Sequence, residues 1–233
     1  MKQKQALIGG TGTEFLIDGA IHTHRITTSF GQVELYETED LYVLLRHQKG
    51  HVLAPHQINY RSHAAALAQL GVTEAIGIYA VGSISDLIRP AEFGIVTQFI
   101  DLSWGRETMM NENNVVHIEM GEPYCSSLIT KLQQAAKELD MSLPGGATYV
   151  CTNGPRLETA AEIALYQSWK ADVVGMTAAT EAIVAKEANI CFAALAYSIN
   201  WAAGIQKSLS FLEKEKRFPL IRKMSELAKR ALC

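Results

Sequence analysis

The sequence predicts an α/β fold: one domain over residues 1–233, with a central mixed, largely parallel β-sheet flanked by helices on both faces. Three observations predict it. Short apolar runs alternate with segments of helical spacing through most of the chain. Several of those runs end in glycine or a polar loop from which a helix departs, the pattern of strand–crossover–strand units. No internal repeat, low-complexity tract or linker divides the chain.

Each element has a local reason. Ala6-Leu7-Ile8 reads as a strand ending in the glycine turn Gly9-Gly10-Thr11-Gly12. Val33–Tyr36 and Leu41–Arg46 read as antiparallel strands joined by a short acidic turn. Asn59–Leu70 has Ala64, Leu67 and Ala68 at helical spacing and stops at Gly71. Glu74–Val81 is a strand that runs into Gly82, and Gly94–Asp101 is another. Leu128–Leu139 is an amphipathic helix stopped near Pro144-Gly145-Gly146, followed by a strand over Ala147–Thr152. Thr159–Lys170 is a helix, and Val173-Val174 opens a strand. Thr180–Asn189 is a helix, Ile190–Ile199 a long apolar strand, and Phe218–Leu232 a final amphipathic helix. Leu102–Val115, polar and aperiodic from Met109 to Asn114, reads as a mobile loop.

Composition limits the function classes. The chain has 21 basic and 24 acidic residues, net charge −3, which gives no electrostatic reason to expect nucleic acid as partner. No apolar run approaches the length of a membrane span. Met1 to Gln5 is short and polar and leads straight into Ala6-Leu7-Ile8, which does not read as a signal peptide. Cys125, Cys151, Cys191 and Cys233 form no C-x-x-C pair, and three lie in or beside apolar runs, which predicts reduced, partly buried thiols in a cytoplasmic protein. His47, His51, His56 and His63 match no metal-binding spacing, have no carboxylate among them and are interrupted by Pro55, so no metal is expected.

Six segments carry candidate chemistry. The glycine turn offers backbone N–H groups and the Thr11 hydroxyl to an anion, yet Phe15 occupies the third glycine position of G-x-G-x-x-G and no Gly-Lys-Ser/Thr follows. Arg46-His47 at a strand end suits bidentate phosphate binding, although a surface ion pair and a solvated histidine would read the same. Tyr79-Ala80-Val81-Gly82-Ser83 allows close approach of backbone to a ligand or to a packed helix. In Asn153-Gly154-Pro155-Arg156-Leu157-Glu158-Thr159, Glu158 sits at a helix start that Thr159 can cap, with Arg156 available to hold the loop. Gly175-Met176-Thr177, with Glu181 in the next helical turn, supplies a thioether for a flat ring and a hydroxyl for an anion. Asn200, closing an apolar strand before Trp201, is costly unless its amide is paired. Five of the six lie at strand ends, where α/β sheets bind ligands.

These motifs, together and in order, resemble the trimeric purine nucleoside phosphorylases, in the methylthioadenosine and methylthioinosine phosphorylase branch. The likeness runs from Ile8 to about Gly204 on Gly9-Gly10-Thr11-Gly12, Arg46-His47, Asn59-Tyr60, Gly154-Pro155-Arg156-Leu157-Glu158-Thr159 and Gly175-Met176-Thr177. It implies a nucleoside phosphorylase-like fold and a pentosyltransferase that joins inorganic phosphate to the sugar of a purine nucleoside, with no other cofactor. It implies a phosphate site of Thr11, Arg46, His47, Ala80 and Thr177, and a nucleoside site of Met176, Glu158, Asn200 and Ala202. His117 and Met120 match a segment that reaches a neighbouring subunit's site in a homotrimer. Asn200, Glu158 and His47 would be the catalytic groups.

Enzymes of the family that act on 6-aminopurines carry Asp at the positions of Asn200 and Ala202 and usually Ser at Glu158. An Asn amide can donate to N7 and O6, and a carboxylate can accept from N1–H, which complements hypoxanthine or guanine. The resemblance therefore implies phosphorolysis of a 6-oxopurine nucleoside, S-methyl-5′-thioinosine first, giving hypoxanthine and 5-methylthioribose 1-phosphate. A general inosine/guanosine phosphorylase and a methylthioadenosine phosphorylase are the alternatives; nucleoside hydrolysis and a non-catalytic nucleoside-binding module are the other classes. Tyr79 is bulkier than the family's usual residue and Trp201 replaces a smaller one, which leaves the 5′ substituent open.

Overall fold

The computed structural model describes residues 4–106, 108–109 and 116–233. Its strands are β1 (Lys4–Gly9), β2 (His22–Thr28), β3 (Gly31–Glu37), β4 (Tyr42–Leu45), β5 (Val72–Ser83), β6 (Phe93–Asp101), β7 (Ala147–Cys151), β8 (Val173–Gly175) and β9 (Cys191–Trp201). The helices are α1 (Tyr60–Gln69), α2 (Ser126–Glu138), α3 (Ala160–Ser168), α4 (Ala178–Glu187) and α5 (Lys214–Leu232). All nine strands share one sheet in the order β2-β3-β4-β1-β5-β8-β7-β6-β9. Strand β9 also pairs with β5, so β5, β8, β7, β6 and β9 close into a ring.

The sheet is mixed, as expected. The pairings β1–β4, β1–β5, β5–β9, β6–β7 and β7–β8 are parallel, whereas β2–β3, β3–β4, β5–β8 and β6–β9 are antiparallel. Alternation along β1 sends Ala6 and Ile8 into the core layer under α1 and α4, and Leu7 into the opposite layer under α2 and α5. With both faces covered, the middles of the central strands are apolar, as over residues 6–8, 75–81 and 192–197. Among the described residues no helix is long and apolar enough to cross a membrane.

Four features depart from expectation. Strand β2, His-Thr-His-Arg-Ile-Thr-Thr, is an edge strand with one buried residue, Thr28, so it carries almost no apolar signal. Helix α4 starts at Ala178, two residues before the expected Thr180, and α5 starts at Lys214, one turn before Phe218, with Pro219 inside it. Of the segment expected as a mobile loop, residues 107 and 110–115 lie outside the described set, as do 1–3 at the N-terminus; Met109 packs beside Ile58 and Tyr60 and donates its N–H to Glu187 at 2.7 Å. Finally, the four cysteines are not all thiols. Cys125 and Cys191 form a disulfide tying the start of α2 to the start of β9. They lie 66 residues apart and meet only through tertiary packing, so no local spacing signals the pair. Cys151 is a buried thiol whose pKa burial pushes up to about 12.

Candidate active site

The carboxyl ends of β1, β4, β5, β8 and β9 converge on a cleft of about 590 Å³. Nine of the residues singled out from sequence line it: Thr11, Arg46, His47, Ala80, Glu158, Met176, Thr177, Asn200 and Ala202. Leu53, Pro55, Leu157, Ile199, Leu209 and Phe211 supply apolar wall. His117, exposed, and Met120, half-buried, are not part of the cleft in this single chain.

At one end the glycine turn follows β1. Gly9 accepts the Arg46 backbone N–H at 2.9 Å, which fixes the turn against the end of β4. A Cβ at Gly10 would collide with Arg46 Nη1, so only glycine lets the backbone pass the guanidinium. The Thr11 carbonyl accepts the Tyr197 hydroxyl at 2.6 Å. Neither the Thr11 nor the Thr177 hydroxyl makes a hydrogen bond among the described residues.

Arg46 is not the surface side chain that an isolated Arg-His pair suggests; it is 1% exposed. Its Nε and Nη2 donate to the two carboxylate oxygens of Glu181 at 2.5 and 2.7 Å, and Nη1 donates to the Ile78 carbonyl at 3.0 Å. Burial opposes the guanidinium's charge, and Glu181 more than offsets it, so Arg46 stays cationic. A guanidinium has five N–H donors. Three are engaged, which leaves one hydrogen on each of Nη1 and Nη2, and Arg46 lines the cleft.

His47 Nδ1 lies 2.7 Å from the Leu53 carbonyl, which can only accept, so Nδ1 carries the hydrogen. Burial first, and the neighbouring Arg46 charge second, lower its pKa to about 4. The ring is therefore neutral near pH 7, with Nε2 as an acceptor.

The other end of the cleft holds polar groups suited to a flat heterocycle. Glu158 accepts the Thr152 hydroxyl at 2.8 Å, and burial raises its pKa above the ordinary carboxylate value despite that bond. Thr159 caps α3 in a reciprocal box with Glu162, as expected of a Thr there, and Arg156 locks the loop through Glu162 at 2.7 and 2.8 Å. Asn200 commits one amide hydrogen to the Trp201 carbonyl at 2.8 Å, which leaves the other hydrogen and Oδ1. Gly154, at φ 63°, is glycine for a second reason: a Cβ there would strike the Met176 sulfur. Among the described residues no group of His, Cys, Asp or Glu is arranged to hold a metal ion.

Comparison with known proteins agrees with this geometry. Residues 6–232 match the sequence model of the phosphorylase superfamily. The chain is 38% identical over 213 residues to the probable S-methyl-5′-thioinosine phosphorylase of Thermodesulfovibrio yellowstonii, covering 88% of this chain and 80% of that protein. It is likewise 38% identical over 212 residues to the 6-oxopurine nucleoside phosphorylase of Pyrococcus furiosus, covering 86% and 80%. Among solved structures, the methylthioadenosine phosphorylase of Schistosoma mansoni with tubercidin superposes with a TM-score of 0.89 at 28% identity, covering 99% of this chain and 91% of that one. The chain belongs to the phosphorylase superfamily, as a nucleoside phosphorylase of the pentosyltransferase class.

Three supporting residues were not legible as such. Glu181 is visible as an acid in the first turn of α4, but its pairing with Arg46 spans 135 residues. Arg106 donates to the Thr180 hydroxyl at 2.6 Å and the Met176 carbonyl at 2.7 Å, joining the ends of β7 and β8 from a segment without periodicity. Tyr79 stands out in sequence only by its size; in the fold it is 1% exposed and donates to Glu181 at 2.5 Å.

Proposed function

We propose that the chain catalyses phosphorolysis of a 6-oxopurine nucleoside, with S-methyl-5′-thioinosine as the first-choice substrate and hypoxanthine and 5-methylthioribose 1-phosphate as products. One observation carries the reading: a single cleft is lined both by Thr11, Arg46, His47, Ala80 and Thr177 and by Glu158, Met176, Asn200 and Ala202. The first set suits a phosphate, with two hydroxyls, a fork of free guanidinium N–H groups and an imidazole acceptor for the proton of a hydrogen phosphate. The second set suits a purine with a 6-oxo group, because the remaining Asn200 amide hydrogen can go to N7 or O6 while Glu158 accepts from N1–H.

The C1′–N9 bond breaks heterolytically through an oxocarbenium-like state, its electron pair passing to the purine. Asn200 and Glu158 stabilise the base as it gains charge, and Met176 packs on its ring. Phosphate, held by Arg46, Thr11 and Thr177, stabilises the cationic sugar and then forms the new C1′–O bond. These contacts tighten in the transition state, so their loss lowers kcat more than it raises the nucleoside KM. Inorganic phosphate is a co-substrate and no cofactor is needed. The working enzyme is a homotrimer of one-domain chains, in which His117 and Met120 approach a neighbour's cleft and take part in binding the sugar. Methylthioadenosine is the second reading, favoured by the methylthioadenosine phosphorylases among its structural neighbours.

The test is turnover of inosine or methylthioinosine with and without phosphate, following the sugar product by phosphorus NMR. Sugar 1-phosphate equal to the base released, and no release without phosphate, supports phosphorolysis. Base release without phosphate makes the enzyme a hydrolase, and binding without turnover makes it a non-catalytic module.

A further inference from the structure

Tyr79 lies at the junction of the two groups that hold the free edge of Arg46 in place. Its hydroxyl donates to Glu181 Oε2 at 2.5 Å, the same oxygen that receives Arg46 Nη2 at 2.7 Å. Its ring lies 4.3 Å from Arg46 Cζ, within cation–π range. The phenol therefore touches both members of the ion pair. Room for it is made in the sheet: a Cβ at Gly77, two residues earlier on the same face of β5, would collide with the Tyr79 hydroxyl. Tyr149 closes the other side edge-on, with ring centroids 6.2 Å apart. Burial and the Glu181 charge hold the Tyr79 pKa well above its ordinary value, so the phenol is a donor at every pH at which the protein is assayed.

We propose that Tyr79 is a positioning residue for phosphate: acting through Glu181, it fixes which edge of the Arg46 guanidinium is offered to the anion. The inference rests on the reading that phosphate binds at Arg46. Glu181 takes the Nε/Nη2 edge only while its carboxylate stays in that plane, and the Tyr79 hydroxyl supplies the further donor that holds it there. A carboxylate free to turn would compete with phosphate for the Nη hydrogens and would repel the arriving anion. The ring, packed on the guanidinium, restricts the same rotation from below. The bulk at position 79 is thus used in packing on Arg46 and reaching Glu181.

The test uses the full chain and a phosphorolysis assay in which phosphate and nucleoside are varied separately. Tyr79→Phe keeps the ring and removes the donor. The phosphate KM should rise about tenfold, the worth of one hydrogen bond to a charged group, with the nucleoside KM and kcat at saturating phosphate within about twofold. In a Glu181→Gln background the same change should have little further effect, whereas a packing role would persist there. Gly77→Ala, which pushes the phenol off Glu181, should reproduce the phosphate defect and serves if Tyr79→Phe does not fold. An unchanged phosphate KM in Tyr79→Phe, or an equal rise in the nucleoside KM, overturns the assignment. Arg46→Lys separates the two layers: if it raises the phosphate KM while Tyr79→Phe does not, only the role of Tyr79 falls; if it leaves that KM unchanged, the phosphate reading falls with it.

Discussion

Replacing Arg46 with Met removes the phosphate fork and half of a buried ion pair at once, and the structure separates the two effects. Arg46 and Glu181 are 1% and 3% exposed. Arg46→Met leaves the Glu181 carboxylate buried with Tyr79 as its remaining side-chain donor, and breaking a buried pair in this way costs about 3–5 kcal/mol of stability. The phosphate loses two charge-assisted N–H donors, together worth roughly 3 kcal/mol, or about a hundredfold in its KM. Adding Glu181→Gln removes the stranded charge while keeping an acceptor for Tyr79. The double variant should regain most of the stability and none of the phosphate affinity. Urea unfolding at pH 7 reads the first quantity, and initial rates against phosphate concentration read the second. A wild-type phosphate KM in the folded double variant would refute the placement of phosphate at Arg46. Recovery of phosphate affinity together with stability would show that the single variant fails only through its fold.

Further outcomes follow from other parts of the structure. The triple change Asn200→Asp, Ala202→Asp and Glu158→Ser should shift the kcat/KM ratio toward 6-aminopurine nucleosides by about tenfold or more, measured with methylthioadenosine against methylthioinosine; a triple variant still confined to 6-oxopurines would refute the base pocket. His47 and His63 are buried, each with its pKa lowered to about 4, His47 by burial and then Arg46, His63 by burial first. A histidine whose folded pKa lies below its unfolded value contributes full stability above about 6.5, and that contribution is lost as pH falls through the window to 4, here roughly 3 kcal/mol per residue. Denaturant midpoints that stay flat from pH 7 to 4 would contradict this. Reduction of Cys125–Cys191, which closes a loop of 66 residues, should lower unfolding stability by up to about 4 kcal/mol; an unchanged midpoint with dithiothreitol would show that the bridge contributes nothing.

The parts of the fold legible in the sequence are those whose burial is regular. Strands β1, β5 and β9 declare themselves as continuous apolar runs buried on both faces, and helices α1 and α2 by apolar residues at helical spacing. Strand β2 does not, because an edge strand needs no apolar face. The ring closure of β9 on β5 is invisible because pairing partners leave no trace in either strand alone. At the site the distinction is similar. Thr11, Arg46, Glu158, Thr177 and Asn200 were legible because they stand at or just past the ends of apolar strands in motifs that together resemble one family, and all five line the cleft. The partners were not: Glu181 reaches Arg46 across 135 residues, and Arg106 reaches Thr180 across 74. Glu181 is buried and Arg106 half-buried by tertiary contact, and their one-dimensional surroundings read as an ordinary helix start and a polar loop.

Specificity carries the central claim, and one comparison tests it most directly: kcat/KM for methylthioinosine, inosine, guanosine and methylthioadenosine, each at saturating phosphate. The pocket of Glu158, Asn200 and Ala202 predicts that the three 6-oxopurine nucleosides are cleaved, and that methylthioadenosine is poorer than methylthioinosine by two orders of magnitude or more, on the order expected when buried polar groups are left unpaired. Methylthioadenosine cleaved as well as methylthioinosine would contradict it.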